Sequence, residues 1–260
     1  MDFLPSSLIE TFLKFKPWSY SKLARLMQCP YLFHVHENKL TPKEELDLPN
    51  LNALHGTVIH EFLDKVFTNE LSIKDFYTFV NSYPAPQSVK DKVLTRIASV
   101  ESLHKQIKMH VGQTGLTSEF TLTLTSEFEK CDKSEKEKVV FKAIVDLLAV
   151  KDDTLIIIDH KSTVKKVDEF KNQMMFYNIM ATYWFPEVKT INTYISDLKS
   201  GKLLPVFILK TGKIKTGLVK GYFAQLVPLL EEYIKDPLPK KNKNCKWCLV
   251  ERHCPLFTNS

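Results

Sequence analysis

Two apolar runs constrain this chain more than any other feature. Phe141-Lys142-Ala143-Ile144-Val145-Asp146-Leu147-Leu148-Ala149-Val150 is followed by Lys151-Asp152-Asp153, then by Leu155-Ile156-Ile157-Ile158-Asp159-His160-Lys161. Runs this rich in Val, Ile and Leu read as strands buried on both faces. The polar break between them has a turn composition. Two adjacent antiparallel strands follow, one with a lone acid inside its apolar run, the next ending on Asp-His-Lys. A charge inside an apolar strand is costly unless it is paired or holds a metal. Two carboxylates with a lysine beside the second can hold a hard divalent cation and leave a cation for a phosphate. Taken alone, Asp-x-Lys reads more readily as strand-end charge facing water, and the rest of the chain shifts the balance.

The surrounding pattern supplies the frame. Residues 1–17 are short and amphipathic, closed by Pro17. Ser19 or Ser21 offers an N-cap to a helix through Met27, which Cys29-Pro30 ends or bends. Residues 38–50 are charged, hold two prolines and read as a loop. Leu54, Val58, Ile59, Phe62, Leu63 and Val66 recur at helical spacing. Residues 71–111 read as helical with a break near Tyr83-Pro84-Ala85-Pro86, and Gly112 to Gly115 stops them. Thr117 to Glu129 alternates and reads as a strand, 165–184 as a helix, 188–195 and 203–209 as strands, and 214–234 as a last helix. The order gives an α/β (α+β) fold with a central mixed five-stranded sheet flanked by helices. Three segments are expected: an N-terminal helical segment over 1–50, a core over 51–235 with a helical insertion near 68–112, and a cysteine-rich tail over 236–260.

Composition enters as a bound. With 260 residues, 44% hydrophobic and 25% charged, the chain has an ordinary soluble globular make-up. A net charge of +6 permits a polyanionic partner without demanding one. No apolar run reaches the roughly 18 residues of a membrane span. Met1-Asp2-Phe3-Leu4-Pro5 lacks a signal-peptide pattern. A reducing compartment is expected, cytoplasmic or, in a eukaryote, nuclear. There, clustered cysteines mean metal more often than disulfide.

Of the five cysteines, Cys245, Cys248 and Cys254 form Cys-x2-Cys-x5-Cys near the C-terminus. Such spacing lets a loop wrap a metal or cluster. A fourth ligand is needed. Cys131 lies in a charged turn that reads as exposed, whereas Cys29 sits at a helix end before a proline, so Cys29 is the expected partner. His253 could replace it at a zinc site, and spacing leaves zinc and an iron–sulfur cluster both open. His60 lies on an apolar helix face, where a core histidine and a neutral imidazole ligand are the two readings. Gln173 and Tyr177 are four apart and share a helix face. They read as a polar stripe, or as a donor and a flat ring along one strand of nucleic acid. Glu119 reads as an exposed strand-end acid or as a further metal ligand.

Together these pieces resemble the RecB-like branch of the PD-(D/E)xK nucleases. Within it they look like the four-cysteine iron–sulfur members: CRISPR-associated adaptation exonucleases, the AddB nuclease domain and eukaryotic replication helicase–nucleases. Ser19-x-Ser21 leading to Cys29-Pro30 and Phe33, Gly56-x3-His60, Asp146, Asp159-x-Lys161, Gln173-x3-Tyr177 and Cys245-x2-Cys248-x5-Cys254 follow in the family's order. Two positions depart from its pattern: Ala143 stands where a glycine is common, and His160 where an apolar or aromatic residue is more usual. The resemblance implies that His60, Asp146, Asp159 and the His160 backbone carbonyl hold Mg²⁺ or Mn²⁺. It implies that Lys161 orients or deprotonates a water, that Gln173 and Tyr177 position the strand, and that Cys29, Cys245, Cys248 and Cys254 carry a structural [4Fe–4S] cluster. The implied activity is a DNA exonuclease on single-stranded ends, in repair, recombination, replication or CRISPR-type processing. The sequence holds no Gly-x4-Gly-Lys-[Ser/Thr], so unwinding would need a helicase partner. A catalytically silent or zinc-tailed nucleic-acid-binding subunit is the alternative.

Overall fold

The computed structural model describes residues 5–40, 51–112, 116–239, 241–242, 245, 248 and 254–258. The expected loop over 38–50 lies, from 41 onward, outside the described residues, as does His253. In chain order the main elements are α1 (Ser6–Lys14), α2 (Tyr20–Gln28), α3 (Pro30–Glu37), α4 (Leu51–Phe67), α5 (Phe76–Ser82), α6 (Gln87–Leu94) and α7 (Ile97–Val111). Then come β1 (Leu116–Leu124), β2 (Phe141–Lys151), β3 (Thr154–Lys161), α8 (Lys171–Trp184), β4 (Thr190–Asp197), β5 (Lys202–Lys210), α9 (Val219–Ala224) and α10 (Leu226–Lys235). No helix among the described residues is long and apolar enough to cross a membrane.

The chain divides into two compact units, 1–48 with 123–142 and 217–260, and 49–122 with 143–216. Residues 123–142 and 217–235, which the sequence reading keeps with the core, group instead with the chain ends. In that first unit the core is aromatic. Trp18 is fully buried between Phe12, stacked at 4.6 Å, and Phe33, stacked at 5.7 Å. Its indole N–H donates to the Phe12 carbonyl at 2.7 Å, so burial leaves no polar group unsatisfied. Trp18 also exchanges backbone bonds with Val140 and Lys142, aligning the N-terminal segment with the start of β2.

Two expected elements are shorter than their patterns. The strand expected to reach Glu129 stops at Leu124, because the Thr125 hydroxyl accepts from the Glu127 and Glu129 N–H groups and turns the chain. The last helix is not continuous: a π turn occupies Ile214–Leu218, and α9 and α10 part at Gln225. Pro228 explains the second break. It lacks an N–H and is tolerated only in a first turn, where α10 puts it.

In the second unit the sheet order is β1-β2-β3-β4-β5. β2 and β3 are antiparallel, β3 and β4 parallel, β4 and β5 antiparallel, so the sheet is mixed as expected. Asp152, with φ +55, makes the β2–β3 turn in the left-handed region that Asp tolerates. Leu147, Ala149, Ile156, Ile158 and Tyr194 give one face to α4–α7. On the opposite face α8 is tied to β4 by the Thr193 hydroxyl, which donates to Asn178 Oδ1 at 2.5 Å.

The stretch expected as an insertion is part of this core. Val89, Val93, Val100, Leu103, Ile107 and Val111 are all essentially buried. Each such side chain contributes about 1.5–3 kcal/mol on burial. α7 is also pinned to the β4–β5 hairpin. Ser99 Oγ donates to the Lys199 carbonyl at 3.1 Å, Ser102 Oγ and Gln106 Nε2 donate to the Gly201 carbonyl at 3.0 and 2.7 Å, and Leu203 N–H donates to Gln106 Oε1 at 3.1 Å. Gly201 has φ +69, and a Cβ there would stand 2.7 Å from Ser99 Cα and 2.8 Å from Ser99 O. Both contacts are backbone and cannot swing away. Gly201→Ala is therefore expected to destabilise the protein by about 2–4 kcal/mol, adding left-handed strain to overpacking. Urea unfolding measures it; a loss under about 1 kcal/mol would mean the hairpin is free to move off α7.

Candidate active site

The β2–β3 ladder runs in register up to Leu147↔Ile158. Asp146 follows on β2 and Asp159 on β3, and there a side chain replaces the backbone. The His160 N–H donates to Asp146 Oδ2 at 2.6 Å, and the other Asp146 oxygen lies 3.3 Å from His60 Nε2 on α4. Lys161, two residues beyond Asp159 and so on the same strand face, brings its Nζ to 2.6 Å from Asp159 Oδ2. The second Asp159 oxygen accepts from Gln173 Nε2 at 3.2 Å, and the same amide donates to Tyr177 Oη at 2.9 Å. Lys161 Nζ also stands 5.4 Å from the centre of the Phe170 ring. Both carboxylates, His60, His160, Lys161, Gln173 and Tyr177 line one open cavity of about 370 Å³.

α4 comes this close because of Gly56. A Cβ at that position would meet Ser162 Cβ at 3.0 Å. Glycine thus lets the helix approach the chain leaving β3, four residues before His60 on the same helix face.

Burial and charge set the protonation. Asp159 is 2% exposed. Burial first, then the Asp146 charge, push its carboxyl up to about 7, against the pull of Lys161. Burial also works against ionised Asp146, but the bond from His60 and the nearby His160 and His60 rings outweigh it and hold the carboxyl below its usual range. The same desolvation opposes charge on His60, yet the bond to Asp146, with the Asp146, Glu119 and Asp64 charges, lifts its pKa. His160 is different: burial takes it down to about 4, so its ring is neutral, with Nδ1 against the Ser196 hydroxyl. Two carboxylates with unequal proton affinity thus share a cavity with an ammonium.

Two sequence readings look different in place, and one further acid joins them. Tyr177 is 7% exposed and its pKa is raised by burial, so the ring offers no face for a base to stack on; its hydroxyl instead receives the Gln173 amide. Glu119 is exposed, has φ +49 and does not line the cavity, although its charge reaches His60 and Asp64. Asp64 was not singled out in the sequence. It lies four residues after His60, bonds the Ser118 hydroxyl, and has a pKa raised by burial and by Glu119. The i,i+4 spacing from His60 is the signal that could have found it.

The cysteines meet elsewhere, within the unit formed by the chain ends. Cys29, Cys245, Cys248 and Cys254 line one small cavity with Tyr31. The tail is held there by the Asn242 side chain, which donates to the Gln28 carbonyl at 3.1 Å, while the Asn242 N–H donates to Cys245 Sγ at 3.2 Å. Cys131 is not in that cavity. Contrary to its expected exposure it is 6% exposed, because its turn folds back: its N–H donates to the Thr123 carbonyl at 3.2 Å and its carbonyl accepts the Thr123 hydroxyl at 2.6 Å. Among the described residues, no three His, Cys, Asp or Glu side chains are grouped closely enough to hold a metal ion as they stand. In the first cavity the reason is visible: the carboxylate oxygens are turned to His60, the His160 N–H, Lys161 and Gln173. The donor chemistry of each cavity nonetheless fits a metal, hard oxygens with imidazole in one and four thiols in the other.

A solved structure titled "Crystal structure of SSO0001" resembles the chain loosely, at 16% identity over 96% of this chain and 95% of that one, with a TM-score of 0.36. No curated protein matches. A family model described as "PD-(D/E)XK nuclease superfamily" matches residues 17–255 and so takes in both strands of the acid pair, α4, α8 and the cysteines. The chain belongs to the PD-(D/E)XK nuclease superfamily.

Proposed function

We propose that this protein is a Mg²⁺- or Mn²⁺-dependent deoxyribonuclease of the RecB-like type, cutting single-stranded DNA from a free end. One observation carries the reading: Asp146, Asp159 and Lys161 share a single open cavity at the end of an apolar strand pair. His60, Asp146, Asp159 and the His160 carbonyl are the proposed ligands. When bound, the cation supplies polarisation of a phosphoryl oxygen and a lower pKa for a coordinated water. Lys161 carries positive charge to the reacting phosphate and holds or moves a proton at Nζ. Gln173 acts by positioning Asp159, and Tyr177 by holding Gln173, which replaces the stacking role that an exposed ring would have had. The four cysteines are proposed to bind a [4Fe–4S] cluster, with zinc as the competing occupant, in a structural role at the chain ends. The test is digestion of end-labelled single-stranded DNA with Mg²⁺, Mn²⁺ or EDTA. Progressive shortening from one end, abolished by EDTA, is expected. DNA left intact in both metals would overturn the catalytic reading and favour a binding subunit.

A further inference from the structure

Beside the active-site cavity lies a second, basic one, of about 330 Å³. The two share Gly56, Ser162 and Leu198 in their walls. Lys92 from α6, Arg96 at the start of α7 and Lys199 from the β4–β5 hairpin line it, with His55 and the hydroxyl residues Ser162 and Thr163. Among the described residues no Asp or Glu lines this pocket. None of the three cations is paired with a carboxylate among the ion pairs of the described residues; the hairpin's own acid, Asp197, accepts from the Lys199 N–H at 3.1 Å and from the Ser200 hydroxyl at 2.6 Å.

Like charges converging without a counter-charge repel one another, and a solvated face would spread them. Here the fold brings them together. α7 is bound to the hairpin by the bonds from Ser99, Ser102 and Gln106, and Arg96 Nη1 itself donates to the Lys199 carbonyl at 3.4 Å. Arg96 and Lys199, about a hundred residues apart, are thereby held in one wall.

We infer that this pocket is a subsite for the terminal phosphate of a DNA strand, bound while the neighbouring phosphodiester lies in the active-site cavity. A terminal monoester carries a charge of about −1.5 to −2 near neutral pH, and guanidinium and ammonium groups with hydroxyl donors match its three oxygens. An internal phosphodiester, with a single charge, asks for less. The helical stretch before β1 then has a task in the chemistry, supplying two of the three cations. The inference rests on the nuclease reading and deepens it by making the strand end the recognised feature.

The test uses the intact protein and four labelled oligonucleotides of one sequence, carrying a 5′-phosphate, a 3′-phosphate, both or neither. Binding is read by fluorescence anisotropy in EDTA, so that no cleavage intervenes. One phosphorylated end is expected to bind about tenfold tighter than its hydroxyl counterpart, and which end it is distinguishes the two sources of the phosphate. Lys92→Ala and Lys199→Ala, at exposed side chains, and Arg96→Ala are expected to reduce that preference to less than about threefold. They should leave affinity for the hydroxyl-ended strand within about twofold. Equal binding of all four oligonucleotides by the unaltered protein overturns the subsite. So does equal weakening toward all four in the variants, which would make it a contact to internal backbone phosphates. A parallel digestion with Mg²⁺ and Mn²⁺ separates the two proposals. Cleavage without end preference defeats the pocket alone; end preference without cleavage defeats the nuclease reading alone.

Discussion

Asp159→Ala is expected to slow metal-dependent DNA cleavage by at least about a hundredfold, as removal of a group that stabilises transition-state charge typically does. Asp146→Ala and Lys161→Ala should do the same, for different reasons visible in the geometry. Asp159 is the buried member, held between Lys161 Nζ at 2.6 Å and Gln173 Nε2 at 3.2 Å. Its loss removes a proposed cation ligand and releases Lys161. Asp146 additionally accepts the His160 N–H at 2.6 Å, so its loss also leaves a strand-end donor unsatisfied. That adds about 1–3 kcal/mol of destabilisation. Asp159→Ala differs in this respect. Burial drives the Asp159 carboxyl up to about 7, so little charge stabilisation is lost with it, and its partners are not stranded: Lys161 Nζ is partly exposed to water and Gln173 Nε2 keeps its bond to Tyr177 Oη. The combination is diagnostic: Asp159→Ala should melt within a few degrees of the unaltered protein yet fail to cut. Near-normal cleavage by that variant would remove Asp159 from the proposed machinery.

The second large effect is expected at the cysteines. Cys29 and Cys248 pack together in one small apolar cluster with Leu32 and Val35, although the chain between them is most of the molecule. A metal or cluster bound there closes a long loop, and its binding free energy becomes folding free energy. Cys29→Ala should therefore lose iron, brown colour and stability to the same extent as Cys248→Ala. Cys131→Ala should keep its iron and colour. Because Cys131 is buried, that variant is expected to lose about 1 kcal/mol of stability through packing alone. Iron content, not melting temperature, is thus the deciding measurement. A Cys29→Ala protein with full iron beside a Cys131→Ala protein without it would reverse the assignment. A colourless protein holding one equivalent of zinc would keep the four-cysteine site and change its occupant.

Much of the fold was legible because its signals are local. The β-rich runs around Asp146 and Asp159, the polar break Lys151-Asp152-Asp153 between them and the helical spacing from Leu54 to Val66 each depend on side chains within a turn or a strand of one another. The two acids and the lysine were legible too, since an uncompensated charge in an apolar run is conspicuous wherever it falls, whereas Gln173 stood out by its four-residue spacing to Tyr177. Other features have no local signature. Whether Tyr177 shows a ring to solvent depends on what packs over α8, and the structure buries it. Whether Cys131 is exposed depends on how its turn folds onto Thr123. Ser196 meets His160 only through the parallel register of β3 and β4. Gly201 looks like any turn glycine until Ser99 is found 2.7 Å from the position of its missing Cβ. The basic pocket is the extreme case. Lys92, Arg96 and Lys199 sit in unremarkable polar sequence, and the docking of α7 on a hairpin about a hundred residues away is what makes them one wall. Sequence determines which groups want to be buried, capped or paired. Which distant groups become neighbours is decided by tertiary packing, because the contact energies that select it are summed over the whole core.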